Sequence, residues 1–342
     1  MDHRTYQESV LLLQSYHPDH GGSAIRHDSL PITDHNWMLD IIVPAYNVEK
    51  YIDECIGSIL RQKTRYSFRT IIVDDGSSDH TGTIIDQYQG KDNVVIIHQD
   101  NGGLSAARNT GLNRSTAQYV MFVDSDDSLP KLAVEKLLNR VESSNADIVA
   151  GSYCNFKVFH WIRKEYRQIE GKINSVRDLK GQAWAKVIRR NLFDKVQFPE
   201  KYWFEDSIMH QIIYPNAKTI IGIKDLVYYR RNNLNSITHS SAGNVRSLDS
   251  LWVTLRLMED RERLNMRCTN EYYEYLLDQM VLTQNRLNKL QLEIQENAFN
   301  VMSYQINARY SEFSTGRKSR LPLEEAIRTE NFEDFIKYVS AK

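Results

Sequence analysis

Between residues 39 and 155, short apolar runs alternate with stretches whose apolar positions recur at helical spacing. The run LDIIVPAY, opening at Leu39 and closing around Pro44, is rich in β-branched residues and predicts a buried strand. It is followed by NVEKYIDECIGSILRQ, in which Val48, Ile52, Ile56, Ile59 and Leu60 share a helical face and Asn47 is placed to cap the first turn. FRTIIVDDG predicts a second strand ended by Gly76, and SSDHTGTIIDQYQG a second helix capped by Ser78 or Asp79. NVVIIHQ is a third strand, GLSAARNTGLNRS a third helix of small residues, and AQYVMFVDSDD a fourth strand. LPKLAVEKLLNRVESS, with Pro130 near its first turn, makes a fourth helix, and ADIVAGSY a fifth strand.

Strands that are apolar along their length are covered on both faces, so the alternation predicts an α/β fold with a Rossmann-like, mostly parallel sheet. Ligands of such sheets sit beyond the carboxyl ends of the strands. Those ends carry Pro44-Ala45-Tyr46, Asp74-Asp75-Gly76 and Asp124-Ser125-Asp126-Asp127, which are expected to meet at one edge. Residues 156–240 read as α+β, with charged hairpin-like pieces and the segments GQAWAKVIRRNLF, KYWFEDSIMHQIIYP and TIIGIKDLVYYRR. Residues 245–312 carry helical periodicity and no Gly or Pro, predicting a subdomain of about three helices, and LPLEEAIRTENFEDFIKYV predicts one closing helix. Residues 1–36 are polar and irregular apart from a short helix at QESVLLLQSY; their histidines match no ligand spacing.

Composition narrows the function classes. Of 342 residues, 41% are hydrophobic and 25% charged, which fits a packed core. A formal charge of −1 argues against nucleic-acid binding by bulk positive charge. Three cysteines, Cys55, Cys154 and Cys268, form no CxxC pair and predict reduced thiols in a cytoplasm. The N-terminus has no signal-peptide pattern, and no stretch approaches a membrane span; a peripheral contact with the inner face of a membrane stays open.

Three constellations carry chemistry. In FVDSDD, Asp124 and Asp126 stand at i and i+2 on the turn leaving a buried strand, where both reach one ligand. Such oxygen donors suit hard divalent ions, Mg²⁺ or Mn²⁺; the plain alternative is an acidic turn in which Asp127 or Ser128 caps the next helix. In IIVDDGSSDHT, Asp75 is placed to accept hydrogen bonds from a base or ribose. In QDNGGLSAARNTG, Gly102 and Gly103 permit close backbone approach, and the helix start offers N–H groups to an anion.

Taken in order and spacing, IIVPAYNVEKYIDECIGSIL, IIVDDGSSDHT, NGGLSAARNTG and YVMFVDSDD resemble family 2 glycosyltransferases of the GT-A fold, closely over about residues 39–155 and more loosely to about 240. The resemblance implies that Pro44, Tyr46 and Glu49 hold the nucleotide base and ribose and that Asp75 is the base-binding aspartate. It places Asn101, Gly103, Ser105 and Arg108 near nucleotide and sugar, Asp124 with Ser125 in the DxD motif, and Asp126 as metal ligand. WFEDSIMH carries the family's "ED" signature, with Asp206 at the catalytic-base position; capping of the helix after it is the competing role. His239 is implied as a second metal ligand, and Arg231 and Ser236 as diphosphate contacts. Trp184 and Trp203 are candidates for stacking on sugar or for core packing, and Lys186 matches a family lysine at the inner wall of the site.

The expected organisation is an N-terminal extension (1–36), a GT-A catalytic domain (37–240, with a nucleotide-binding half at 37–155 and an acceptor half at 156–240) and a helical C-terminal subdomain (241–342). The expected function is inverting, metal-dependent transfer of a hexose or N-acetylhexosamine from a UDP-sugar to a hydroxyl of a glycan, lipid-linked glycan or glycosylated surface protein. The absence of QxxRW and of membrane helices implies single additions. The alternatives are a sugar nucleotidyltransferase, against which the missing Gly-rich basic first loop speaks, and a non-catalytic partner in a glycosylation complex. Tyr272, Tyr273 and Tyr275 are read as core, with an oligomer interface or acceptor platform as alternatives.

Overall fold

The computed structural model describes residues 3–34, 36–156, 164–232 and 241–341. Its chain divides into two compact units, one formed by Ala24–Lys201 with Ile208–Asn233, the other by Met1–Ser23, Tyr202–Ser207 and Leu234–Lys342.

The first unit is built on a nine-stranded sheet among the described residues. Its strands are β1 (Leu39–Ala45), β2 (Phe68–Asp74), β3 (Val94–His98), β4 (Tyr119–Phe122), β5 (Ile148–Phe156), β6 (Lys164–Tyr166), β7 (Gly171–Lys172), β8 (Lys186–Arg189) and β9 (Ile220–Arg231). The order is β3-β2-β1-β4-β8-β5-β9-β7, with β6 added against β5. The first four strands are mutually parallel, as their apolar runs predict. β8 enters antiparallel between β4 and β5, which GQAWAKVIRR did not announce because strand direction leaves no mark on a short apolar run. β3, expected to be buried, lies at the sheet edge and is half-buried.

The intervening helices are α2 (Ile52–Leu60), α3 (Thr81–Asp86), α4 (Leu104–Arg114) and α5 (Ala133–Ser144). Ile52, Cys55, Ile56 and Ile59 of α2 join Leu39, Ile41 and Val43 in the core, so the apolar stripe performs as read. The expected caps do not. Asn47 takes φ +50° and its side-chain oxygen accepts from Ser78 N–H at 2.8 Å, while Tyr51 stands at the start of α2 and His80 at the start of α3. Pro130 precedes α5, whose first flanking residue is Leu132. Small residues in α4 do allow close packing: a Cβ on Gly111 would stand 2.3 Å from the Ile42 side chain. Gly111→Ala is therefore expected to destabilise the protein by about 1–3 kcal/mol, measured by denaturant unfolding, since the buried strand beneath has no room to give.

The second unit is helical. α1 (His3–Tyr16) is longer than QESVLLLQSY suggested. Within this unit it packs with the C-terminal helices: Tyr6 stacks on Tyr304 at 4.5 Å, and Leu13 is fully buried. The described residues up to Ser23 thus belong to this helical unit and not to a separate extension, because α1 has an apolar face that needs covering. The C-terminal helices are α7 (Asp249–Arg263), α8 (Asn270–Leu287), α9 (Leu292–Tyr310), α10 (Leu321–Arg328) and α11 (Phe332–Ser340), α6 being the short Tyr214–Asn216 of the first unit. The single closing helix that was expected is two, broken where Glu330 takes φ +54° and Asn331 caps α11. Tyr272, Tyr273 and Tyr275 are all buried within the unit. The three cysteines are free thiols.

Candidate active site

The carboxyl ends of β1 and β2 are paired through Ala45 and Asp74, and the ladder continues one step as Asp75 N–H donates to the Ala45 carbonyl at 2.8 Å. The Asp75 side chain, only 2% exposed, turns toward the glycine loop. Its Oδ1 accepts from Gln99 Nε2 at 2.6 Å and from Gly102 N–H at 2.9 Å, and its Oδ2 accepts from Gly103 N–H at 2.8 Å. Asn101 Nδ2 donates to the Asp75 carbonyl at 3.0 Å. Gly76, at φ +71°, is the one residue type that fits here, because a Cβ would also meet Asn101 N at 2.8 Å. Asp75, Asn101 and Gly103 are therefore brought together as expected. The amides of Gly102 and Gly103, just ahead of α4, are taken by Asp75.

Around this turn, Pro44 is buried in β1, Tyr46 is half-exposed, and Glu49 accepts from His80 N–H at 3.0 Å. Ser105 donates to the Pro199 carbonyl at 2.7 Å and so ties α4 to a neighbouring loop. His98 bridges Asp74 at 2.9 Å and Asp86 at 3.0 Å, and these hydrogen bonds raise its pKa above the ordinary imidazole value.

The second cluster follows β4. Asp124, partly exposed, pairs with the buried Arg108 at 3.0 Å. The turn closes with Asp127 N–H donating to the Asp124 carbonyl, and Ser128 then bridges Tyr229 of β9. Asp127 caps no helix. Its Oδ2 accepts from Tyr228 OH at 2.7 Å and its Oδ1 from Arg231 N–H at 2.6 Å. The same Tyr228 hydroxyl accepts from Asp124 N–H at 3.1 Å. Burial, then the charges of Asp126 and Asp124, push the Asp127 carboxyl well above the usual range. Arg231, expected at a diphosphate, donates to the Asp126 carbonyl at 2.8 Å and to Glu54 at 2.6 Å, with Tyr51 and Phe156 on its faces. It braces the acidic loop. Ser125 is buried in that loop.

Do these residues suit a divalent cation? Asp124 and Asp126 supply hard oxygen donors, and the repulsion felt by Asp127 marks a local excess of negative charge that a cation relieves. Among the described residues, no group of three or more His, Cys, Asp or Glu side chains is arranged to hold a metal by itself. A cation here would thus need donors from its diphosphate ligand as well. Ser236 and His239 lie outside the described residues.

Asp206 belongs to the other compact unit, in the segment Tyr202–Ser207. The residue before the Glu205-Asp206 pair, Phe204, takes φ +64°, a strained conformation for an aromatic residue. Glu205 is buried and Asp206 partly exposed. A π-turn over Met209–Ile213 follows where SIMHQIIY predicted a plain helix. Trp203 lies under the Arg246 guanidinium at 4.9 Å. Trp184, in the first unit, is core: it stacks on Tyr228 at 4.6 Å and is 8% exposed. Lys186 is buried, with Nζ donating to the Gln182 and Trp184 carbonyls at 2.9 and 3.2 Å.

Sequence reading missed Asp127, Tyr228, Gln99 and Glu54 as parts of this machinery. Asp127 was visible in DSDD. The others are separated from their partners by 24 to 177 positions and share no motif with them.

Comparison with known proteins agrees with this geometry. The sequence profile of Glycosyl transferase family 2 matches residues 40–197. Glycosyltransferase GlyG of Streptococcus pneumoniae is 32% identical over 219 residues, covering 58% of this chain and 72% of GlyG. Glycosyltransferase GlyA of the same organism is 33% identical over 218 residues, 58% of this chain, but the match spans only 31% of GlyA. A crystal structure of S. aureus TarS 1–349 in complex with UDP-GlcNAc superposes with a TM-score of 0.70 at 22% identity, over 89% of this chain and 90% of that one, and so shares its GT-A fold. No helix among the described residues is long and apolar enough to cross a membrane. Acidic strand ends on a parallel sheet, the family profile and the match to GlyG converge, and they set aside the nucleotidyltransferase and the non-catalytic partner: this chain belongs to glycosyl transferase family 2 and is a glycosyltransferase.

Proposed function

We propose that the enzyme moves a hexose or N-acetylhexosamine from a UDP-sugar to a hydroxyl of a glycan or glycosylated surface protein, by single additions and with inversion. The observation that carries this reading is the loop Asp124–Asp127, with two partly exposed carboxylates on a rigid brace at the carboxyl edge of the sheet. Support for the donor comes from the crystal structure of TarS in complex with UDP-GlcNAc and from TarS being a poly(ribitol-phosphate) β-N-acetylglucosaminyltransferase.

In this reading Asp75 holds the glycine loop against the nucleotide, and Pro44, Tyr46 and Glu49 flank base and ribose. Asp126, with Asp124 nearby and His239 as a second donor, would hold Mn²⁺ or Mg²⁺. The cation supplies charge stabilisation for the departing diphosphate. Asp206 takes the proton of the acceptor hydroxyl while that oxygen bonds to the anomeric carbon from the face opposite the diphosphate. The bond from that carbon to the diphosphate oxygen breaks, and UDP leaves with its electron pair. Free thiols among the three cysteines support a cytoplasmic setting for the reaction.

The test is thermal unfolding with UDP-GlcNAc, UDP-glucose, UDP-galactose or GDP-mannose, each with MnCl₂ or with EDTA. A UDP-sugar at 100 times its Kd is expected to stabilise the folded state by about 2.7 kcal/mol, and only with metal. Stabilisation by GDP-mannose alone, or equal effects with EDTA, would overturn the reading.

A further inference from the structure

The family profile ends at residue 197, before the segment that carries Glu205 and Asp206. What holds that segment lies within its own compact unit, in the residues that follow α1 and in the C-terminal helices. Tyr202 OH donates to Asp19 at 2.6 Å, and its ring covers Gly21, where a Cβ would stand 1.8 Å away. Trp203 N–H donates to Asp249 at 2.8 Å, and the other oxygen of Asp249 lies 2.8 Å from His17 Nε2. Next, the Arg286 guanidinium lies 3.5 Å from the centroid of the Phe204 ring and donates to Ser250 at 2.7 Å. On the same helix as Arg286, Tyr275 is buried with its hydroxyl under the influence of the Ser207 side chain and the Asp206 charge. Residues on both sides of the acidic pair are thus tied to parts of the chain outside the family match, Phe204 and Ser207 to α8, Trp203 to α7 and Tyr202 to the segment after α1.

We infer that Arg286 is a positioning residue for Asp206: stacked on the strained Phe204 and fixed by Ser250, it holds the turn that presents the carboxylate and offers it a counter-charge. The inference rests on the reading of Asp206 as the base. The field of Asp206 is felt at both Arg286 and Tyr275, and that of Glu205 at Arg286. Burial lowers the Arg286 pKa to about 10, and the neighbouring acids oppose that shift, so the guanidinium remains charged at neutral pH. The charged and titratable groups around the turn are Arg286, Tyr275 and Asp278 on α8, Glu205 beside Asp206, Arg246 and Asp249 against Trp203 with His17 on Asp249, and Tyr202 with Asp19 and Arg256. Arg286 is the cation whose stack and charge both bear on the acidic pair. A lysine there keeps the charge but loses the planar stack.

The experiment uses the full chain and follows UDP release from UDP-GlcNAc with Mn²⁺, water serving as acceptor, across pH. Arg286→Gln is expected to lower kcat about tenfold or more with donor KM within about twofold, the signature of lost transition-state stabilisation. The acid limb of kcat/KM is expected to rise by about one pH unit, because a neighbouring cation favours the ionised carboxylate. Arg286→Lys is expected to return the limb toward wild type. Wild-type kcat with an unmoved limb in Arg286→Gln overturns the inference. Wild-type turnover in Asp206→Asn overturns the base reading instead, and the inference with it. Should Arg286→Gln fail to fold, Tyr275→Phe removes only one hydroxyl from the same seat: a kcat loss of about threefold or more at unchanged donor KM supports the inference, and wild-type kcat sinks it. Where the wild type releases no UDP, the donor reading fails, and a thermal double-mutant cycle of Arg286→Gln and Asp206→Asn decides: a combined loss in Tm smaller than the sum supports coupling, and additivity overturns it.

Discussion

Replacing Asp206 with Asn is expected to cut sugar transfer by about 10²–10⁴-fold, the usual worth of a positioned proton acceptor, while leaving donor binding intact. The amide keeps the shape of the carboxylate but cannot take a proton from the attacking hydroxyl. The segment that carries it should survive the change, since Tyr202 and Trp203 are anchored by Asp19 and Asp249. The proposed donor contacts Asp75, Asn101, Asp124 and Asp126 belong to the other compact unit. The measurements are kcat for UDP release or transfer and metal-dependent thermal stabilisation by the donor. Retained turnover would remove Asp206 from the role of base; lost stabilisation would make it a donor-binding residue.

Asp75→Asn is expected to damage both stability and donor binding. The native carboxylate accepts from Gln99 Nε2, Gly102 N–H and Gly103 N–H. An amide has one accepting oxygen and one donating nitrogen, so at least one of these part-buried donors must face an N–H₂ group at the buried position 75. Leaving a fully buried donor unpaired costs about 1–3 kcal/mol, and these part-buried donors are expected to cost toward the lower end. The cost falls on the loop that leads into α4, whose first flanking residue, Gly103, stands at φ +88°. Denaturant unfolding should show a lower midpoint at an unchanged m-value, and titration with UDP should show weaker affinity. A variant with wild-type stability would show that the loop is held by other means. Wild-type UDP affinity in a destabilised variant would separate the loop from nucleotide recognition.

These two residues differ in how legible they were. Asp75 stands in a motif: a buried strand, two acids and a glycine in succession. Each of those local features has a local cause, so β1 to β5 and α2 to α5 appear where the periodicities place them. Asp124 and Asp126 were legible for the same reason. Yet the role of a neighbour can invert once the chain folds. Arg231 was expected to meet a diphosphate and instead clamps the Asp126 carbonyl and Glu54. Asp127 was weighed as a helix cap and instead is pinned by Tyr228 and Arg231 of β9. Asn47, a good capping residue by type, took a left-handed turn because Ser77 and Ser78 met it there.

The order of strands and helices, the apolar faces that must be covered and the acids delivered to the strand ends all follow from patterns a few residues long, and for these the sequence was sufficient. Three things required the folded chain: β8 running against its neighbours, the N-terminal helix packing with C-terminal ones, and Arg286 reaching the Phe204 ring. Contacts of that kind join residues far apart along the chain. They are chosen by which apolar faces and charges find cover in space, a competition that no local spacing records.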